Sequence, residues 1–312
     1  MSKLIYLDYM ASKPLDPQVL KVMSECLNSS EHFGNSSSQH YFGWQAADLI
    51  EAARSQVASL INADPREIIW TSGATEANNL ALKGAALFYQ RKGKHIITMK
   101  TEHQSVLNVC AYLETLGFTV TYLKPDSRGL LDLAEFREAI RPDTILVSIM
   151  WVNNETGVIQ DIEKISELTR QQGIIFHVDA VQAAGNMAID VRNTSIDLLS
   201  LSGHKLYGPK GIGVLYIRRN PRIRLAPQIH GGDQEYGLRA GTLPTHQIAG
   251  MGMACEVIRR QLMTDQNHIK NLSAFLWQEL NGLPDVYLNG DFVKRIPGCL
   301  NISVAGIEAE TL

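Results

Sequence analysis

Cysteine is scarce in this sequence. Cys26, Cys110, Cys255 and Cys299 are widely separated and no CxxC pair occurs, which argues against a zinc knuckle and a dithiol redox motif. Long apolar runs are missing too. No stretch approaches the ~18–20 residues a membrane span needs, and the run 147–152 is broken by Ser148. The first eight residues carry one lysine and reach Asp8 too soon for the apolar region of a signal peptide. Neither charge sign dominates: 29 Lys and Arg against 32 Asp and Glu give a net charge of −3, so there is no electrostatic case for binding nucleic acid or an anionic membrane surface. Repeats and low-complexity tracts are also lacking. These absences predict a soluble protein in a reducing, cytoplasmic setting.

What remains is ordinary globular composition: 45% hydrophobic and 20% charged residues over 312 positions, enough for a large α/β unit with an appendage. Short Val- and Ile-rich runs predict strands at 68–71, 95–98, 119–123, 144–149, 174–178, 198–201 and 213–217. Amphipathic spacing predicts helices at 18–27, 43–61, 76–90, 105–116, 133–139 and 162–171. Asp132 and Asp161 occupy N-cap positions, and Gly117 and Gly173 stand where helices should stop. Strand-then-helix alternation predicts a mostly parallel sheet covered on both faces. After Pro244 one long helical region, 246–280, bends near Asp265, and strands at 286–288 and 299–304 follow. We expect a large domain over 16–255 and a partial small domain made of 1–15 with 256–312.

In such sheets ligands bind at the carboxyl ends of the strands, and four of those ends are rich in polar groups. Thr71-Ser72-Gly73-Ala74-Thr75-Glu76 reads either as a phosphate cradle at a helix start or as an ordinary N-cap. Asp179, ending a buried run, either caps the next segment or pairs with a cationic ligand nitrogen, since a buried carboxylate needs a partner. Lys205, in Ser202-Gly203-His204-Lys205, is either a solvated surface charge or a desolvated amine nucleophile. His103, in Lys100-Thr101-Glu102-His103, is either structural or catalytic, and Asn154 adds an amide at the same edge. Gly203 and Gly208 have the spacing of a nucleotide-binding phosphate loop, but Pro209 and Lys210 stand where that loop needs Lys then Ser or Thr. One edge carrying an anion site, an Asp, a Lys, an imidazole and amides matches what pyridoxal 5′-phosphate requires.

These segments, together with Tyr6-Leu7-Asp8-Tyr9, Phe33-Gly34-Asn35, Val152-Asn153-Asn154-Glu155, His177-Val178-Asp179-Ala180 and His230-Gly231-Gly232, make the chain resemble the group I cysteine desulfurases over essentially its whole length. The resemblance implies the type I pyridoxal-phosphate fold of aspartate aminotransferase in a homodimer. It implies conversion of L-cysteine to L-alanine, with sulfur passed on as a persulfide for iron–sulfur cluster assembly or tRNA thiolation, to a scaffold or another acceptor protein. By the same resemblance Lys205 bonds the cofactor, Asp179 faces its ring nitrogen, and His103 stacks on the ring and transfers protons. Gln182 and Asn154 lie near the phenolic oxygen, with Asn154 also facing substrate. Ala74, Thr75, Ser202 and His204 form the phosphate cup, which Thr242 completes from the partner subunit.

Departures from the family pattern accompany the match. Ser12-Lys13 replaces Thr-Thr, Ser36 replaces Pro, and the loop ending at Thr242 carries Asp233, Tyr236 and Ala240 at three altered positions. None of the four cysteines aligns with the family's persulfide-forming cysteine, whose mobile loop lies beyond the matched segments, as does the Arg that clamps the substrate carboxylate. The expectation is therefore a fragment or a natural truncation with impaired desulfurase turnover. The alternatives are another pyridoxal-phosphate lyase or aminotransferase-like activity, or a non-catalytic remnant.

Overall fold

A computed structural model describes residues 4–30 and 32–308. The ends of the expected small domain, 1–3 and 309–312, lie outside the described residues. Helices α1 (Pro17–Asn28) and α2 (Tyr41–Leu60) come first. Strands β1 (Ile68–Thr71), β2 (His95–Met99), β3 (Thr119–Leu123), β4 (Thr144–Ser148), β5 (Ile175–Asp179), β6 (Leu198–Ser202) and β7 (Gly213–Ile217) follow. Between them run α3 (Ala74–Tyr89), α4 (Gln104–Thr115), α5 (Leu133–Ala139) and α6 (Ile162–Gln171). The chain continues through α7 (Thr245–Asn281) into β8 (Val286–Leu288) and β9 (Ile302–Val304).

The seven strands form one sheet in the order β1-β7-β6-β5-β4-β2-β3. All neighbours are parallel except β7, which runs antiparallel to both β1 and β6. Alternation along each strand divides the core. Trp70, Ile97, Val147, Phe176 and Leu199 pack under α2, α6 and α7, whereas Ile69, Ile96, Leu146, Ile175 and Leu198 pack under α3 and α4. Asp132 and Asp161 cap α5 and α6, accepting from Ala134 N and Lys164 N. Gly117 and Gly173 take positive φ after α4 and α6.

The long helical region after Pro244 is α7, helical without interruption from Thr245 to Asn281. Two sequence expectations need correction. The last strand begins at Ile302, so Cys299 precedes it. Neither Ser72 nor Thr75 caps α3; its N-cap is Gly73, which makes no side-chain cap bond.

Candidate active site

The carboxyl ends of β1, β2, β4, β5 and β6 open into a cleft of about 1200 Å³. At the first of these ends the chain turns through Gly73 at φ +154°, a conformation closed to most side chains, with empty space where a Cβ would stand. Gly213 on β7 comes so close that a Cβ there would lie 2.6 Å from the Gly73 backbone. The two glycines set the start of α3 against the sheet edge. With no side-chain cap at Gly73, the first N–H groups of α3, around Ala74 and Thr75, face the cleft at the positive end of the helix, a suitable setting for an anion. Glu76 accepts from Ser72 N at 2.7 Å and from Arg239 Nε at 2.9 Å, tying this start to the loop that ends at Thr242.

Asp179 ends β5 and is buried. Its carboxylate accepts from Asn78 Nδ2 at 2.9 Å and from Val181 N at 3.1 Å, both neutral donors. Burial raises its pKa, and those two hydrogen bonds only partly oppose the rise. A cationic nitrogen in the cleft would supply the missing counter-charge.

Lys205 follows β6 and is half buried. Its Nζ donates to the carbonyls of Met10 and Ala11, the latter at 2.7 Å. Burial lowers its pKa although Asp8, Asp179 and Glu155 pull the other way, which raises the share of neutral, nucleophilic amine. Ser202 and His204 line the cleft on either side of Gly203, and His204 is shifted down by burial and by Lys205. Nearby Lys13 lies 4.8 Å from the centre of the Tyr207 ring and is held down to about 8 by burial and by Lys205.

His103, Asn154 and Gln182 line the same cleft. Asn154 Nδ2 donates to Glu155 at 2.6 Å, and Gln182 Nε2 to the Met10 carbonyl at 2.9 Å. The fold thus gathers nine of the ten expected site residues. The tenth, Thr242, is exposed and does not line this cleft within its own chain.

Sequence reasoning missed several neighbours. Asn78 and Ser105 connect Asp179 to His103. Glu102 is buried: Oε1 accepts from Met150 N at 2.8 Å, Oε2 has no partner among the described residues, and burial pushes its pKa well up. Cys299 lines the cleft although it is only 4% exposed. The motif Glu102-His103 was visible, but contacts such as Asn78 to Asp179, 101 positions apart, leave no local signal.

Comparison with known proteins identifies the family of the chain. The profile of the aminotransferase class-V family matches residues 5–312. The cysteine desulfurase IscS of Pectobacterium atrosepticum is 55% identical over 309 residues, 99% of this chain and 76% of that protein. Among solved structures, a NifS-like protein superposes with a TM-score of 0.95 at 36% identity, covering 99% of this chain and 84% of its own. SspA in complex with cysteine superposes with a TM-score of 0.78 at 47% identity, covering 81% and 72%. The anion-ready start of α3, the buried Asp179 and the desolvated Lys205 fit the cofactor of such proteins. This chain belongs to the aminotransferase class-V family of pyridoxal-phosphate enzymes and, within it, to the cysteine desulfurases.

Proposed function

We propose that the chain holds pyridoxal phosphate through Lys205 and accepts L-cysteine in the cleft, with its own sulfur hand-off impaired. The observation that carries this reading is the convergence of Lys205, Asp179 and the uncapped start of α3 on one cleft. SspA, a structural neighbour, is known in complex with cysteine, which supports the choice of substrate. When bound, the cofactor supplies an electron sink for bond rearrangement at the substrate carbons. The protein does the rest. The start of α3 with Ser202 and His204 would anchor the phosphate, Asp179 would keep the ring nitrogen protonated, and Gln182 and Asn154 would orient the phenolic side. His103, which lines the cleft, would stack on the ring and move protons, and Asn154 would also face the substrate.

Thr242 serves the partner's phosphate in a homodimer. Its exposure and the anchoring of its loop at Glu76 support that role. The large domain spans 16–255, and 1–15 with 256–312 belong to a small domain. The protein works in the cytoplasm, and its sulfur acceptor is an iron–sulfur scaffold or a thiolation protein.

Impairment follows from thiol chemistry. In a desulfurase, which forms a persulfide and alanine, sulfur passes to a thiolate placed close to it, and a misplacement of about 1 Å can cost on the order of 100-fold in rate. Cys26, Cys110, Cys255 and Cys299 are all buried. Burial pushes Cys110 and Cys255 up to about 12 and raises the other two, so none stands ready as a thiolate.

The test is to incubate the cofactor-loaded 312-residue chain with L-cysteine. We expect a cysteine-dependent change in its visible spectrum without repeated release of alanine. Many alanines per chain would overturn the impairment, pyruvate with sulfide would show an elimination enzyme, and an unchanged spectrum would contradict the choice of substrate.

A further inference from the structure

His103 is the N-cap of α4, and its position there limits its chemistry. The first N–H groups of a helix have no partner inside it. Here the Ser105 N–H, in the first turn, donates to His103 Nδ1 at 3.1 Å. A backbone N–H can only donate, so Nδ1 is the unprotonated nitrogen of the neutral ring. The Ser105 hydroxyl reaches the same atom at 2.8 Å. The direction of that second bond is set from further away. Asn78 Nδ2 donates one hydrogen to Asp179 at 2.9 Å and the other to Ser105 Oγ at 2.9 Å. An ionised carboxylate only accepts, so Asp179 fixes which end of the Asn78 amide faces it. The amide then occupies the hydroxyl oxygen as a donor, which leaves the hydroxyl proton for His103 Nδ1. Asn78 is completely buried and Ser105 nearly so, which holds both in place. His103 Nε2 has no hydrogen-bond partner among the described residues, and the ring lines the cleft.

We infer that Asn78 and Ser105 are positioning residues that hold neutral His103 with its proton on Nε2, so that the ring meets the cleft as a hydrogen-bond donor. The opposite tautomer would set an N–H on Nδ1 against the Ser105 N–H, disfavouring it on the order of tenfold or more. In the proposed reaction His103 therefore begins by giving a proton from Nε2, not by taking one there. The same chain couples it to Asp179: a change in the charge of that carboxylate reaches the imidazole through one amide and one hydroxyl. This consequence rests on the proposed function, but the tautomer is a property of the folded chain.

The experiment is long-range proton–nitrogen NMR on cofactor-loaded protein labelled with ¹⁵N in its histidine rings, at about pH 8.5, where a free imidazole is neutral, and repeated at higher pH until the His103 signals no longer change. The His103 signal is identified by its loss in His103→Gln. We expect an unprotonated, hydrogen-bonded Nδ1 and a protonated Nε2. Ser105→Ala keeps the backbone donor and loses the hydroxyl, so Nδ1 should move downfield toward an unbonded imine nitrogen and the tautomer preference should fall about two- to tenfold. Ser105→Thr, which keeps a hydroxyl, should restore both. A proton on Nδ1 in the parent protein, or a Ser105→Ala spectrum identical to the parent's, would overturn the inference. Failure of Lys205 to hold the cofactor would overturn the proposed function and leave this spectrum unchanged.

Discussion

At the scale of single residues, burial governs reactivity. The four cysteines show it most plainly. Cys110 in α4 and Cys255 in α7 belong to the apolar core, and Cys26 in α1 is buried as well; a buried thiol resists ionisation. Cys299 borders the cleft, yet its Sγ is directed at the Glu155 carbonyl at 3.5 Å. We predict that a water-soluble thiol reagent at neutral pH labels none of the four in the native chain in the time that it labels all four after denaturation, as read by intact mass. Rapid native labelling of Cys299 would contradict this and would supply the nucleophile that the proposed function says is missing. At this scale the sequence places Lys205, Asp179 and His103 directly after apolar runs at one sheet edge; each alone has an ordinary reading, and only their convergence points to a site. Asn78 and Ser105 gave no such signal, because an Asn and a Ser near helix starts look like routine capping groups until the fold brings them against Asp179.

At the scale of elements, the cleft depends on how its loops are anchored. The segment ending at Thr242 takes two consecutive left-handed residues, Glu235 at φ 49° and Tyr236 at φ 58°, which is strained for side chains of this size. A buried ion pair holds it there. Arg54 on α2 meets both Glu235 oxygens at 2.8 and 2.9 Å, and Trp70 N donates to the same carboxylate at 2.7 Å. Both side chains are nearly inaccessible, 4% and 2% exposed, so removing Glu235 leaves the buried guanidinium with only the largely exposed Glu51 as a carboxylate partner. Glu235→Ala should cost about 3–5 kcal/mol of stability, read from the urea midpoint and slope, and Arg54→Met added to it should recover part of the loss. A loss below about 1 kcal/mol would mean the pair does not hold the loop. Strand and helix positions were largely legible, since two-residue alternation and Asp132 or Asp161 at helix starts are local signals. The ion pair was not, because its partners are 181 positions apart. α7 continues through Asp265-Gln266-Asn267, where Gln266 donates from the helix side to the Asn186 carbonyl.

At the scale of the whole molecule, one sheet edge does the work. Six strands of the seven-stranded sheet end on the same side, five of those ends open into the cleft, and the antiparallel β7 brings Gly213 against the turn at Gly73. A mostly parallel sheet was legible from strand–helix alternation, but the reversal of β7 was not, since strand direction leaves no mark on a five-residue apolar run. The central claim is that this edge holds pyridoxal phosphate through Lys205. It is tested most directly by adding the cofactor, reducing with borohydride and mapping the modified peptide. The account predicts one adduct per chain on Lys205, absent in Lys205→Ala while the fold persists, because trimming a half-buried edge side chain opens no core cavity. An adduct on the neighbouring, partly neutral Lys13, or no adduct with cofactor in excess, would contradict it.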